Sequence, residues 1–245
     1  MFQGLLSRSR QWWDRLPAAL PCSCTLCGSD STAALCDACR ARFFGQRKHR
    51  CTRCAMPLED KSSKECGDCL KHAPAFDATI VASDYAPPAD QLVLALKFGN
   101  RLELAGLFAG MLHDALMNAP SLEVPQRLIA TPLGPQRLVE RGFNQALEIA
   151  KPLSRKAGLV LDTKLVLRQR ETQAQALLHP DERRKNIRGA FGIRPEAIDR
   201  LRGLHVGIVD DVITTGETLN ELAATLKRFG AARVTNLVFA RTVQK

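Results

Sequence analysis

The chain has 245 residues, 45% of them apolar and 5% aromatic, enough for one substantial α/β domain and something smaller. No apolar run is long enough to span a bilayer, which excludes a helical membrane protein and predicts a soluble globular one. A formal net charge of +10 raises a polyanionic partner, and nine cysteines raise either a disulfide framework or bound metal.

In residues 1–21, Arg8, Arg10, Asp14 and Arg15 interrupt what would be the apolar core of a signal peptide. Phe2, Leu5, Leu6, Trp12, Trp13 and Leu16 instead fall along one face of a helix. This amphipathic segment is expected to dock within the protein, with a partner or a membrane surface as the alternatives.

Residues 22–72 hold every cysteine and little apolar material. Eight fall into four Cys-x-x-Cys pairs, Cys24/Cys27, Cys36/Cys39, Cys51/Cys54 and Cys66/Cys69. Two thiolates at that spacing can turn onto one tetrahedral ion, and two pairs complete a four-cysteine site. The expectation is a zinc-binding module with about two Zn2+ per chain, its folding driven by the metal. Consecutive pairing gives Cys24, Cys27, Cys36 and Cys39 around one ion and Cys51, Cys54, Cys66 and Cys69 around the other; interleaved pairing meets the ligand count equally well. Every such site is full, so the zinc is structural rather than catalytic. Redox chemistry would need a thioredoxin-like βαβ setting, which is missing here. Cys22 is left over as a free thiol or an alternative to Cys24. Eight thiolates on two Zn2+ change the formal +10 by −4, to +6, which weakens the charge argument. Without a secretory signal, a reducing cytoplasm is the expected compartment, a peripheral place at the inner membrane staying open.

From residue 76 to residue 245 the composition is that of an α/β domain. Ala78–Ala82 reads as a strand, Tyr85-Ala86-Pro87-Pro88 as a turn with Pro88 in the first turn of the next helix, and Lys97-Phe98-Gly99-Asn100 as its stop. Lys97 could reach an anion, but a lone lysine near a helix end reads rather as a solvated surface residue. A second helix is expected over Leu102–Met117. Arg127–Thr131 is the next strand, followed by a Pro/Gly loop and then Arg137, Arg141 and Gly142 before a helix. The two arginines suit an anion, as planar forks of donors, or else form surface pairs with Glu140. Between residues 159 and 195 basic residues predominate, among them Arg168, Arg170, Arg183, Arg184, Lys185 and Arg188, interspersed with Thr172, Gln173, Gln175 and Asn186.

The most informative stretch is Val206–Thr218. An apolar run, Val206-Gly207-Ile208-Val209, reads as a buried parallel strand ending at Asp210 and Asp211. Thr214, Thr215, Gly216, Glu217 and Thr218 follow, and a helical pattern continues from Leu219, with Gly230 placed to end it. Hydroxyls, a glycine and a helix N-terminus at a strand's carboxyl end suit a phosphate. The missing lysine rules out a Walker A loop. Two adjacent carboxylates can accept from a vicinal diol. A diol beside a phosphate describes ribose 5-phosphate. A final strand is expected over Val234–Ala240.

This loop resembles the phosphoribosyl-pyrophosphate (PRPP) loop of type I phosphoribosyltransferases. Pro132-Leu133, Arg137, Arg141-Gly142-Phe143-Asn144-Gln145-Ala146, Leu96-Lys97-Phe98 and the cysteine pairs resemble the ComF/GntX family from about Cys24 to the end of the chain. The resemblance implies an α/β fold, a type I phosphoribosyltransferase-like parallel sheet flanked by helices, behind a small zinc-binding module. It also implies a link to natural competence and to the use of DNA as a nutrient. On that basis Thr214, Thr215, Gly216, Glu217 and Thr218 would cradle the 5-phosphate of PRPP. Asp210 and Asp211 would hold the ribose hydroxyls, and Arg137 and Arg141 the diphosphate, with Mg2+ arriving on it. The segment 159–195 occupies the place of a substrate-covering lid. Glu217 departs from a phosphate loop, tolerable only if its side chain turns away. The competing reading is a non-catalytic PRPP-binding or single-stranded DNA-binding module, acting with DNA or with a DNA-uptake or processing protein.

Overall fold

The computed structural model describes residues 22–46, 48–119, 123–170 and 187–243. The amphipathic segment 1–21 lies outside them, as do Thr172, Gln173, Gln175, Arg183, Arg184, Lys185 and Asn186. Internal contacts divide the chain into residues 1–47 and 48–245.

In the first unit, β1 (Cys22–Ser23) pairs antiparallel with β2 (Asp30–Ser31), and α1 (Asp37–Phe44) follows. Cys36 caps α1, its Sγ accepting from the Cys39 amide at 3.5 Å. The turn after Cys27 closes by donation from the Gly28 amide to the Cys24 carbonyl at 2.8 Å. That turn needs a positive φ, +74° at Gly28, which glycine adopts freely.

The second unit begins with the Cys51–Cys69 ribbon, which ends in α2 (Gly67–Lys71). There follow β3 (Ala78–Asp84), α3 (Ala89–Phe98), α4 (Leu104–Met117), β4 (Arg127–Ala130), α5 (Pro135–Arg141) and α6 (Gln145–Ala157). Then come β5 (Val160–Leu161), β6 (Val166–Arg168), β7 (Phe191–Ile193), α7 (Ile198–Leu201), β8 (His205–Ile213), α8 (Glu217–Arg228) and β9 (Arg233–Arg241). A five-stranded sheet of order β3-β9-β8-β4-β5 is parallel throughout, as expected for strands alternating with helices. Strands β6 and β7 form a separate antiparallel pair.

Both faces of the sheet are covered. Val206 and Ile208 of β8 and Val234 and Val238 of β9 share a core with Leu219, Leu222 and Leu226 of α8. On the opposite face Phe239 stacks on Phe108 of α4, ring centroids 3.6 Å apart. Each such buried side chain contributes about 1.5–3 kcal/mol, which is why β8 and β9 are mostly apolar within the sheet.

Strand β8 runs past the two carboxylates, where the sequence pattern places its end. Its neighbour β9 pairs with it as far as Ile213↔Arg241, so the ladder carries Asp210 and Asp211 into the sheet. Helix α8 likewise starts earlier than its apolar pattern, at Glu217, because Gly216 at φ +86° turns the chain directly from loop to helix.

Candidate functional site

At the carboxyl end of β8, Asp210, Val212, Ile213, Thr214, Gly216, Thr218 and Leu219 line a small open recess. Of the seven residues read from the sequence in this stretch, Asp210, Thr214, Gly216 and Thr218 therefore face one space. Asp211 is 2% exposed and points to the side, where its Oδ2 lies 2.5 Å from Lys97 Nζ of α3. Asp210 is half-buried, and its Oδ1 accepts from the Asp211 amide at 2.9 Å. Burial and then the Asp211 charge push the Asp210 carboxyl up to about 7. The Thr215 hydroxyl is shielded from water and lacks a hydrogen-bond partner. Such a group costs about 1–3 kcal/mol until something accepts from it. Glu217 is the first residue of α8 and is absent from the recess lining.

Arg141 belongs to the same neighbourhood. Burial lowers its guanidinium below the ordinary range, while Asp211 and, more weakly, Asp210 and Glu140 pull it back up. Arg137 is close enough to oppose it, so the two arginines lie together. Arg141 also sits over the Phe98 ring at 5.1 Å. The loop behind it is fixed by Asn144, which caps α6 and donates from Nδ2 to the Thr131 carbonyl at 3.0 Å. Two carboxylates, threonine hydroxyls, a helix N-terminus and a cationic flank are thus brought to one end of the sheet.

Lys97 and Phe98 are functional candidates that periodicity alone does not single out. Lys97, which the sequence pattern makes a solvated surface lysine, is instead 19% exposed and paired with the buried Asp211. Nothing in the sequence pattern points to Arg241. It is 4% exposed, and its guanidinium donates to the Thr214 carbonyl at 2.5 Å.

The cysteines form two groups, Cys24, Cys27, Cys36, Cys39 and Cys51, Cys54, Cys66, Cys69, each with its donor atoms within 4.8 Å of one another. This is the consecutive pairing. A tetrahedral ion with Zn–S bonds of about 2.3 Å sets sulfurs about 3.8 Å apart. Cys27 and Cys36 Sγ are 3.7 Å apart, and Cys54 and Cys66 Sγ 3.6 Å, so the residues fit the metal. Their electrostatics call for a cation. The neighbouring Cys54 thiol holds Cys51 down to about 4, whereas burial pushes Cys69 up to about 12. A dication shared by all four removes that conflict. Cys22 is exposed and outside both groups.

The double zinc ribbon domain family matches residues 16–70, and the phosphoribosyl transferase domain family matches residues 143–245. DNA utilization protein YhgH of Salmonella typhimurium is 35% identical over 235 residues, 95% of this chain and 96% of that protein. Competence protein F of Haemophilus influenzae is 32% identical over 187 residues, 75% of this chain and 81% of that protein. Among solved structures, the allosteric regulatory enzyme of purine biosynthesis is 18% identical with a TM-score of 0.32, covering 55% of this chain and 25% of that one. No helix among the described residues is long and apolar enough to cross a membrane. Matched nearly end to end, with paired zinc ribbons ahead of a phosphoribosyltransferase domain, the chain belongs to the ComF family.

Proposed function

We propose that the recess after β8 binds PRPP and that the domain transfers its 5-phosphoribosyl group to an acceptor. The observation that carries this reading is the loop itself: Asp210 opens onto the same space as Thr214, Gly216 and Thr218, at the N-terminus of α8. In it, the amides of residues 215–218 and the hydroxyls of Thr214, Thr215 and Thr218 hold the 5-phosphate. Thr215 brings an unpaired donor, and a phosphate oxygen is a partner of the right kind. Glu217 contributes its backbone N–H. Asp210 accepts from the ribose hydroxyls, and Asp211, its charge balanced by Lys97, stands beside it.

Arg141, with Arg137 beside it, faces the diphosphate, which brings Mg2+ with most of its waters. Departure of that diphosphate leaves a cationic ribose carbon. The two carboxylates stabilise it electrostatically, and catalysis rests on positioning. The relatives' names, DNA utilization protein and competence protein, support placing the reaction in the handling of DNA or its breakdown products.

Calorimetric titration of PRPP into zinc-loaded protein, with and without Mg2+, tests the reading; saturable Mg2+-dependent binding is expected. Alanine at both Asp210 and Asp211 should abolish it while the chain stays folded, and unchanged affinity would remove the loop from the binding site. Asp210→Asn sharpens the test. The Asp210 carboxyl titrates above its unfolded value of 3.8, so the folded state increasingly disfavours its ionisation as pH rises from about 4 to 7. The amide variant should therefore be about 1 kcal/mol more stable at pH 7, the gain vanishing below pH 4, while binding PRPP at least about ten-fold less tightly. Absence of PRPP binding by the wild type would favour the interaction-module reading, with single-stranded DNA the ligand to titrate next.

A further inference from the structure

Helix α6 buries Gln145, Ala146, Ile149, Ala150 and Leu153, a stripe at helical spacing with one polar member. Gln145 lies one turn before Ile149, so it belongs to the face turned towards the sheet, and it is 7% exposed. Its Oε1 is shielded from water and has no hydrogen-bond partner among the described residues. A buried amide oxygen of this kind is costly until something donates to it. Capping the helix does not call for it. Asn144 Oδ1 already accepts from the Ala146 and Leu147 amides at 3.0 and 3.4 Å.

The place of Gln145 in the fold shows where a donor can come from. It is the first residue of α6, and Cα–Cβ bonds tilt towards a helix's N-terminus, so the side chain leans out over the strand ends. Asn144 ties this point to β4 through the Thr131 carbonyl, at 3.0 Å. The Thr131 amide donates in turn to the carbonyl of Val209, the residue before Asp210, also at 3.0 Å. Along β8, Val206 and Ile208 share a core with α8, so Val209 and Asp211 face the side on which α6 packs. Gln145 is thus on the side of Asp211 and Lys97, with Arg141 one short turn ahead of it in the chain. This is the diphosphate side of the site. An ionised diphosphate offers acceptors alone and leaves the Gln145 oxygen unmet. Water on Mg2+ does meet it, since the ion arrives with several polarised waters, each a donor.

We propose that Gln145 is a further binding residue of this site, its carboxamide oxygen accepting from water on the Mg2+ that the diphosphate carries. The inference rests on the PRPP reading above. It gives the orphaned oxygen a partner that comes only with the ligand. The diphosphate end is then recognised twice, through its charge by Arg141 and through its hydrated metal by the first turn of α6.

The test is calorimetric titration of PRPP, and separately of inorganic diphosphate, into the full zinc-loaded chain, with and without Mg2+ and with no acceptor present. Gln145→Met keeps the volume and removes the oxygen. With Mg2+ it should bind both ligands about ten-fold less tightly than the wild type, the effect of one hydrogen bond to a charged partner. Without Mg2+ the two proteins should agree within about two-fold. Gln145→Glu keeps an oxygen acceptor and should retain the enhancement by Mg2+. An equal loss with and without Mg2+ would overturn the proposal, since it would put the amide nitrogen on a phosphate oxygen. A lower melting temperature with Mg2+-dependent affinity unchanged would mark a structural amide and overturn it too. Should the methionine variant not fold, Gln145→Asn withdraws the oxygen by one methylene, and an undiminished Mg2+ enhancement there would overturn it equally. A wild type that binds Mg2+-diphosphate through Gln145 but no PRPP would defeat the PRPP reading alone. Mg2+-dependent PRPP binding left intact in Gln145→Met would defeat this inference alone, and binding of neither ligand would defeat both.

Discussion

In residues 22–46 a Cys-x-x-Cys turn, a loop and a helix capped by the third cysteine make up nearly all that is described; in residues 48–72 the same parts recur with their flanks built into the sheet. The repeat is close. Gly28 follows Cys27 at φ +74° and Ala55 follows Cys54 at φ +60°, and each donates its amide back to the first cysteine of its pair. Cys36 and Cys66 each precede a helix. Yet Lys48 and Arg50 both reach Asp84 at the end of β3, Thr52 accepts from Thr79, and Cys54 joins the core of the sheet domain. The same pairing of two Cys-x-x-Cys turns stands in a separate unit in one case and is fastened to the larger fold in the other.

Serine at both Cys51 and Cys54 should give the largest effect, lowering the melting temperature of residues 48–245 by more than about 10 °C, since metal binding there is folding free energy. Serine at both Cys24 and Cys27 should leave that transition within about 2 °C, while metal content falls in either variant from about two ions per chain to one. Equal losses in calorimetry would break the contrast between the centres.

Asp84→Asn probes the fastening itself. The Lys48 and Arg50 partners outweigh burial and hold the Asp84 carboxyl below its ordinary range, so its contribution is present above about pH 4 and disappears as pH falls through its folded value. Denaturant titration at pH 7 should show a loss of about 2 kcal/mol, shrinking as pH falls below the ordinary carboxylate range.

The smallest change exchanges the two turns. Gly28→Ala meets open space but a left-handed φ, and should cost about 1 kcal/mol in the first unit. Ala55→Gly relieves the same strain and should stabilise the second by about 0.5–1 kcal/mol. Opposite signs in the two unfolding curves would confirm a common turn; equal signs would refute it.

Local pattern makes some of this legible and distance hides the rest. Strand β8, the acidic pair and the Thr/Gly loop are contiguous, so periodicity and residue chemistry find them together. The cysteine spacing sets the number of centres but leaves their pairing open, because Cys-x-x-Cys pairs combine either way until the turns are placed. Lys97 reads as a surface residue because its partner Asp211 lies far along the chain, and only the packing of α3 brings them together. Arg241 carries no motif; it matters because β9 is threaded between β3 and β8. Composition groups residues 22–72, whereas contacts group 48–245, since hydrogen bonds to the sheet leave no trace in composition.

That threading also governs the order of assembly. Strand β3 has no sheet neighbour other than β9 among the described strands, and contacts such as Asn236 Nδ2 to Thr79 Oγ1 join residues 157 positions apart. The cysteine ribbon and β3 emerge early in synthesis, and β9 follows everything between them. Closing so long a loop carries an entropic cost that falls before the β3–β9 contacts offset it. A ribbon folded on its metal and tied to β3 is then complete before β9 comes to pair with that strand.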